Sequence, residues 1–464
     1  MASWLNNAIF YEIYPQSFND SNGDGIGDFQ GIIDKLQYVH DLGCNAIWIN
    51  PCFDSSFYDA GYDVRDYYTA AERYGSNADL QRLFERAHEL GMHVLLDLVP
   101  GHSAVDNPWF LESGKDERNA WTDRYIWRPM TQSPNLNSPY ESIRGFLGGI
   151  AERPDAAAVN CFSTQACLNY GFGTVTEDWQ FAADSPEAVQ GRLLIQDIMD
   201  FWLGLGADGF RVDVAHGLAK DLDRDDLESY KVCEHVLPSD GSHPLYDRDE
   251  VHDIYREWRK VFNEYNPPAF AVAEAWVNPD RQHLYASTEE LGQVFNFEFA
   301  KKDWIRDDMH LAIEEGLESA ERSGSSATWV MSNHDVPRHA SRYGLPQVPA
   351  SSHHQLAKDW LLRDGTTYEE NRELGAKRAR AAILMELALP GSTYIYQGEE
   401  LGLPEVADIP WDELEDPTAF NSVREQIEKG RDGCRVPLPW VAADAPKLDD
   451  PDDEFGHDGS FGFS

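Results

Sequence analysis

A chain of 464 residues that is 42% hydrophobic and holds 14 Trp, 20 Tyr and 22 Phe can fill one large barrel with insertions, or two to three average domains. Its 81 Asp and Glu against 38 Lys and Arg leave a formal charge of −43. That balance excludes nucleic acid, an anionic membrane surface and highly charged anionic substrates as natural partners, and suits a small neutral one.

The first run, Met1-Ala-Ser-Trp-Leu-Asn-Asn7, lacks a signal-peptide layout, and no apolar run is long enough to span a bilayer. Cys44, Cys52, Cys161, Cys167, Cys233 and Cys434 are dispersed without metal-ligand spacing. Free thiols in a cytoplasmic protein are the expectation, with a Cys161–Cys167 link left open, as is the oligomeric state.

Ala8 to Pro15 reads as a first strand. In Asp20-Ser-Asn-Gly-Asp-Gly-Ile-Gly-Asp28, oxygen side chains recur at Asp20, Asn22, Asp24 and Asp28, with glycines for a tight turn. Together with the Ile26 carbonyl they predict a structural Ca²⁺ or Mg²⁺ site, although Gly31 stands where an EF-hand carries Glu. Helical apolar spacing follows over Ile32 to Leu42, then strand-like Asn45 to Pro51, a helix over Leu80 to Leu90, and a strand over His93 to Pro100. Residues 102–180 are rich in Pro, Asn, Gly and Trp without a clear period, which reads as an inserted lobe. Alternation resumes with a helix over Pro186 to Leu205 and a strand ending at Asp213. A helix over Val251 to Tyr265 and a strand ending at Glu274 come next, then a short strand over Gln293 to Phe297. A helix at 306–321, a strand running from Thr328 into Asp335, a helix over Arg372 to Leu389 and a strand over Thr393 to Gly398 complete the series.

Eight strands alternating with helices predict an α/β fold, a (β/α)₈ barrel of the TIM type with an irregular inserted subdomain after strand 3. The expected parts are 1–101 and 181–401 as barrel, 102–180 as insert, and 402–464 as an acidic loop-rich tail in which Arg431 to Trp440 is the ordered piece. Four strands deliver Asp97, Asp213, Glu274 and Asp335 at or near their C-terminal ends, which a closed parallel barrel gathers on one face. Arg211 lies two residues from Asp213 and so points to the same face. Paired carboxylates of this kind cut glycosidic bonds, one attacking and one protonating, about 5 Å apart in retaining enzymes. Arg211 is expected to keep Asp213 ionised, while the apolar neighbours of Glu274 are expected to raise its pKa for acid duty. Asp97 suits fixing Arg211 or a loop. His216 reads as a loop residue, and Trp276 and Trp329 read as core.

Asp97-Leu-Val-Pro-Gly-His102, Gly209-Phe-Arg-Val-Asp213, Glu274-Ala-Trp276 and Asn333-His-Asp335 resemble, in order and at the strand ends, the alpha-amylase family, glycoside hydrolase family thirteen. Asp59-Ala-Gly-Tyr-Asp63, the Asp20–Asp28 loop and Arg431-Asp-Gly-Cys-Arg435 resemble its oligosaccharide-acting alpha-glucosidase branch. From about residue 208 the likeness is to bifidobacterial and other actinobacterial alpha-glucosidases. The resemblance implies Asp213 as nucleophile, Glu274 as acid/base and Asp335 as the carboxylate that distorts and stabilises the sugar. It implies Arg211, His102 and His334 as sugar ligands, Tyr62 as a stacking platform, and Asp59 with Arg431 holding the non-reducing end. The implied activity is a retaining, exo-acting alpha-glucosidase on short substrates of the maltose, isomaltose or sucrose type, with no catalytic cofactor. A transglycosidase or sucrose-acting enzyme with the same trio is the alternative, and a non-catalytic sugar-binding barrel is the alternative of another class. Two departures stand out: Gly101 where the family carries Asn, and an expected C-terminal β-sandwich for which no residues follow Ser464.

Overall fold

The computed structural model describes residues 3–129, 145–221, 237–349, 354–422, 428–441 and 462–464. Cys233 and the acidic run Asp449 to Glu454 lie outside the described residues. Eight parallel strands form the central sheet: β1 (Ile9–Ile13), β2 (Ala46–Ile49), β3 (His93–Leu98), β4 (Gly209–Val212), β5 (Phe270–Ala273), β6 (Gly292–Val294), β7 (Thr328–Val330) and β8 (Ser392–Tyr396). Their order is β6-β5-β4-β3-β2-β1-β8-β7, a TIM barrel with its ladder open between β6 and β7. Side chains close that seam. Thr328 Oγ1 donates to the Val294 carbonyl at 2.6 Å and accepts the Asn296 amide at 3.0 Å, while Gln293 Nε2 donates to Ser326 Oγ at 2.7 Å.

Both faces of these strands are buried, which explains why they read as near-continuous apolar runs. One face packs on the helices. Ile47, Ile49, Leu96 and Phe210 meet Ile32, Leu36 and Val39 of α1 (Phe29–Asp41), Leu80, Leu83 and Phe84 of α2 (Asn77–Glu89), and Ile195, Ile198 and Met199 of α3 (Pro186–Leu205). The other face fills the barrel with Phe10, Trp48, Leu95, Phe270, Val272, Phe295 and Tyr394. Trp4 plugs the N-terminal mouth, stacked on His93 with centroids 3.9 Å apart. At the opposite mouth the inward positions turn polar: Glu12, Asn50, Asp97, Arg211 and Glu274. These three helices start where a side chain can satisfy the orphan amides: Asp28 caps α1, Ser76 with Asp79 forms a capping box on α2, and Ser185 caps α3.

Short antiparallel pieces sit between these elements. Phe53–Ser55 pairs with Val64–Ala70 after β2, His102–Ala104 pairs with Gln165–Cys167, and Trp127–Arg128, Ala156–Ala158 and Phe146–Leu147 make a three-stranded sheet.

Asp208, just before β4, joins three elements. Its Oδ2 accepts from His88 Nε2 at 2.9 Å and Val94 N at 2.8 Å, and its Oδ1 faces His93 Nδ1 at 3.3 Å. Burial opposes ionisation, but these donors outweigh it and hold the carboxyl at about 2. A depressed carboxyl stabilises the fold above its unfolded value near 3.9, and that contribution is lost as pH falls towards about 2. Asp208→Asn is therefore expected to cost about 2 kcal/mol at pH 7 and progressively less from pH 5 to pH 3, measured by urea unfolding. A pH-independent deficit would contradict this.

Candidate active site

Parallel register builds the centre of the polar mouth. Arg211 on β4 is the ladder partner of Asp97 on β3 and of Val272 on β5, so the carboxylate of one strand faces the guanidinium of the next. Arg211 is 1% exposed. Its Nη1 donates to Asp97 Oδ1 at 2.9 Å and to Asp213 Oδ1 at 2.9 Å, and its Nη2 donates to Glu274 Oε2 at 2.6 Å. One cation thus gathers three buried acids, and its loss would leave them without a counter-charge. Asp97 is closed off completely: Tyr62 OH and Trp48 Nε1 donate to its Oδ2 at 3.1 and 3.2 Å. It holds Arg211 and the loop carrying Tyr62.

Asp213 and Glu274 follow directly on β4 and β5, where the Glu274 amide donates to Val212 O and the Asp213 amide to Leu98 O. The next residue, Val214, has φ 42° and ψ 46°. A β-branched side chain in that left-handed region costs roughly 1–3 kcal/mol. The conformation aims the Val214 amide at Glu274 Oε2, 3.0 Å away, and places the Ala215 amide on the Glu274 carbonyl at 2.9 Å. Trp276 Nε1 donates to Glu274 Oε1 at 2.7 Å. Trp276 packs partly buried against the barrel core, stacked on Phe297, and in addition touches the acid. Trp329 is core, with 0% exposure.

Glu274 receives three N–H donors, whereas Asp213 receives the shared Nη1. Burial raises the Asp213 carboxyl; Arg211 pulls it back, and the neighbouring Glu274 and Asp97 push it up again.

Asp335 belongs to a second cluster. Arg431 Nη1 donates to its Oδ1 at 2.8 Å and Arg435 Nη2 at 3.1 Å, while His334 Nε2 lies 3.3 Å from Oδ2. Burial works against ionisation, but His334, Arg431 and Arg435 outweigh it and hold Asp335 far below the usual carboxylate range. Arg431 also reaches Asp59 Oδ1 at 2.9 Å and Asp416 Oδ2 at 2.7 Å. Gln165 Nε2 of the insert holds the other Asp59 oxygen at 2.9 Å. Asp63 shapes the turn that carries Asp59, accepting the Tyr58 and Asp59 amides at 3.0 and 3.1 Å.

Tyr62 lies parallel to His334, centroids 5.5 Å apart, with its hydroxyl 2.6 Å from His334 Nε2. His102 uses both ring nitrogens within the protein: Nε2 with the Tyr62 carbonyl and Nδ1 with Asn160 Nδ2, each at 2.8 Å. In this arrangement it fixes Tyr62. His216 is buried and stacked on Tyr246. Asp416, Glu12, Asn50, Trp48, Gln165 and Arg435 escaped the sequence reading as members of the site; an acid or amide that lies far off in the chain carries no local signal.

In the Asp20–Asp28 loop the side-chain oxygens meet backbone amides. Asp20 accepts the Asn22, Gly23 and Gly25 amides, Asp24 the Ile26 amide, Asn22 the Asp24 amide, and Asp28 the Ser21 and Gly31 amides. Its oxygens serve as turn and cap acceptors. No group of three or more His, Cys, Asp or Glu that could hold a metal ion occurs among the described residues. None of the described helices is long and apolar enough to cross a membrane.

A parallel barrel with carboxylates gathered at its C-terminal face defines a class of enzyme scaffold. The family described as alpha amylase, catalytic domain, matches residues 12–362 and 361–447, and the chain belongs to the alpha-amylase family. It is 30% identical to an oligo-1,6-glucosidase of Parageobacillus thermoglucosidasius over 94% of this chain and 75% of that protein. It is 32% identical to a probable alpha-glucosidase of Rhizobium meliloti (strain 1021) over 94% of this chain and 74% of that protein. Among solved structures, the alpha-glucosyl transfer enzyme XgtA superposes with a TM-score of 0.76 at 28% identity, covering 100% of this chain and 77% of that one.

Proposed function

We propose that this protein is a retaining, exo-acting alpha-glucosidase that removes terminal glucose from short alpha-glucosides. Asp213 attacks the anomeric carbon, Glu274 protonates the leaving oxygen and then activates water, and Asp335 stabilises the oxocarbenium-like transition state. The observation that carries the reading is Arg211 holding Asp213 and Glu274 side by side at adjacent strand ends. The mechanism requires Glu274 as the proton-bearing acid and Asp213 as the carboxylate facing Arg211. The ion pair of Asp59 with Arg431 walls the site beside Asp335, which favours binding a chain end over a chain interior. Relatives named oligo-1,6-glucosidase and alpha-glucosidase support this substrate class.

A second reading keeps the trio and changes the acceptor. XgtA is described as an alpha-glucosyl transfer enzyme, so a sugar in place of water is the natural alternative second step. Incubation with maltose, isomaltose and sucrose separates the readings. Hydrolysis releases free glucose one unit at a time, and transfer yields longer glucosides. Failure of folded protein to act on any of the three would contradict both.

A further inference from the structure

Beneath Asp335 lies a buried chain of hydrogen bonds that the reaction scheme does not use. His334 is 0% exposed. Its Nδ1 is 2.6 Å from Glu12 Oε1 and 3.1 Å from Asn50 Nδ2; its Nε2 is 2.6 Å from Tyr62 OH and 3.3 Å from Asp335 Oδ2. Glu12, on β1, is also 0% exposed. Its Oε1 additionally faces Asn50 Nδ2 at 3.2 Å and the His334 amide at 3.4 Å, and its Oε2 has no hydrogen-bond partner among the described residues.

The hydrogens in this chain are determined by what each atom can donate. Asn50 turns an N–H towards Nδ1, so Nδ1 is best read as a lone pair. The 2.6 Å contact from Nδ1 to Glu12 Oε1 then needs a hydrogen, and the carboxyl is its source. An ionised Glu12 would instead leave a bare carboxylate oxygen buried without a donor, which is costly; the carbonyl oxygen of a neutral acid costs far less. With Nδ1 unprotonated, a neutral imidazole carries its hydrogen on Nε2 and donates to Tyr62 O, with Asp335 close by. Tyr62 then donates its own hydrogen to Asp97 Oδ2 at 3.1 Å. Every donor in the series runs one way, from Glu12 through His334 and Tyr62 to Asp97.

We propose that Glu12 is a positioning residue: as the neutral acid it donates to His334 Nδ1 and fixes His334 as the Nε2–H tautomer, the form that presents an N–H to Tyr62 and Asp335. The charged and titratable groups around it agree. Burial raises Glu12 well above the ordinary carboxyl range; Asn50, Arg211 and the His334 amide pull it down, and Asp335 pushes it up. Burial drives His334 well below its ordinary value, with Arg435, Arg211 and Arg431 adding to the effect and Asp335 opposing it. Tyr396 of β8, the ladder partner of Glu12, is itself raised, first by burial and also by Glu12. Ionising Glu12 would reverse the chain: Nδ1 takes the hydrogen, Tyr62 turns its hydroxyl to Nε2, and both Asp97 and Asp335 lose a donor.

The bearing of this tautomer on turnover rests on the proposed function, whereas the tautomer itself can be read without turnover. The test is nitrogen-15 NMR of the full chain with labelled histidine, the His334 signals being assigned by their loss in His334→Gln. At pH 7 the expected pattern is a proton-bearing Nε2 and a bare Nδ1. Raising the pH moves the hydrogen to Nδ1 in the natural protein and leaves it in place in Glu12→Gln, whose amide still donates but cannot ionise. Loss of the acid/base proton lowers kcat/KM at alkaline pH in both proteins; the shift at His334 adds a further fall that Glu12→Gln lacks. A hydrogen on Nδ1 at pH 7, or a tautomer shift at high pH that is identical in both proteins, overturns the proposal. A bare Nδ1 in a protein that cleaves no alpha-glucoside supports the hydrogen-bond assignment and counts against the proposed function instead.

Discussion

Asp213→Asn is expected to lower turnover by about 10⁴-fold or more while the thermal midpoint holds or rises. The amide keeps the shape and can still sit against Arg211, but it cannot form the glucosyl ester that splits the displacement into two steps. The stability half of the prediction comes from burial. Asp213 is 6% exposed, and its carboxyl is raised by desolvation and by Glu274 and Asp97 despite Arg211. A group whose folded pKa is raised destabilises the fold once pH exceeds that of the unfolded carboxyl, so removing its charge relieves a strain present at pH 7. Activity and stability should therefore move in opposite directions, as expected where a fold gives up stability to hold a reactive group. Turnover near the natural rate would remove Asp213 from the nucleophile role. A midpoint several degrees lower would mean that the residue is chiefly structural.

Arg211→Met should be the most destabilising single change in the barrel. The guanidinium contacts Asp97, Asp213 and Glu274, and lies over the rings of Trp48 and Tyr62 at 5.3 and 5.6 Å. Removing it leaves buried carboxylates without a counter-charge, a loss of about 3–5 kcal/mol at neutral pH. Those acids would then have folded pKa values above their unfolded ones. The deficit is thus largest at high pH and shrinks as pH falls through the raised values and the acids take up protons. Urea midpoints of the two proteins at pH 8 and pH 5 check this; an equal deficit at both would place the loss in packing instead. Lysine is not expected to rescue, because a single ammonium cannot reproduce the planar fork that serves three acids from two nitrogens.

The barrel was legible because its strands and helices each carry a local period. α3 spans Pro186–Leu205, the range that the sequence predicts. Strand seven is shorter than read. β7 ends at Val330, and Asn333 Oδ1 accepts the Asp335 amide at 2.9 Å, an Asx turn that redirects the chain before the acid. The hairpin of Phe53–Ser55 with Val64–Ala70 was missed because its register shifts twice, which breaks the alternation that marks a strand. The Asp20–Asp28 loop carries an ambiguous signal, because side-chain oxygens at alternate positions suit a metal and suit backbone amides equally well. Arg211 was legible because it sits two residues from Asp213 on one strand. The contact of Arg431 with Asp59 spans 372 residues, and Asp416 joins them from a stretch that reads as loop. Such pairings are made by the closure of the barrel, and no window of sequence contains them.

The central claim is that Asp213 and Glu274 act as nucleophile and acid/base of a double displacement. Proton NMR of the first glucose released from the best of maltose, isomaltose and sucrose tests it most directly. The leaving glucose of maltose or isomaltose is released as the equilibrium mixture, so the account predicts an initial excess of α-glucose over that mixture, decaying as the anomers equilibrate. An initial excess of β-glucose would mean a single displacement by water, and Asp213 could not then be the group that attacks the sugar.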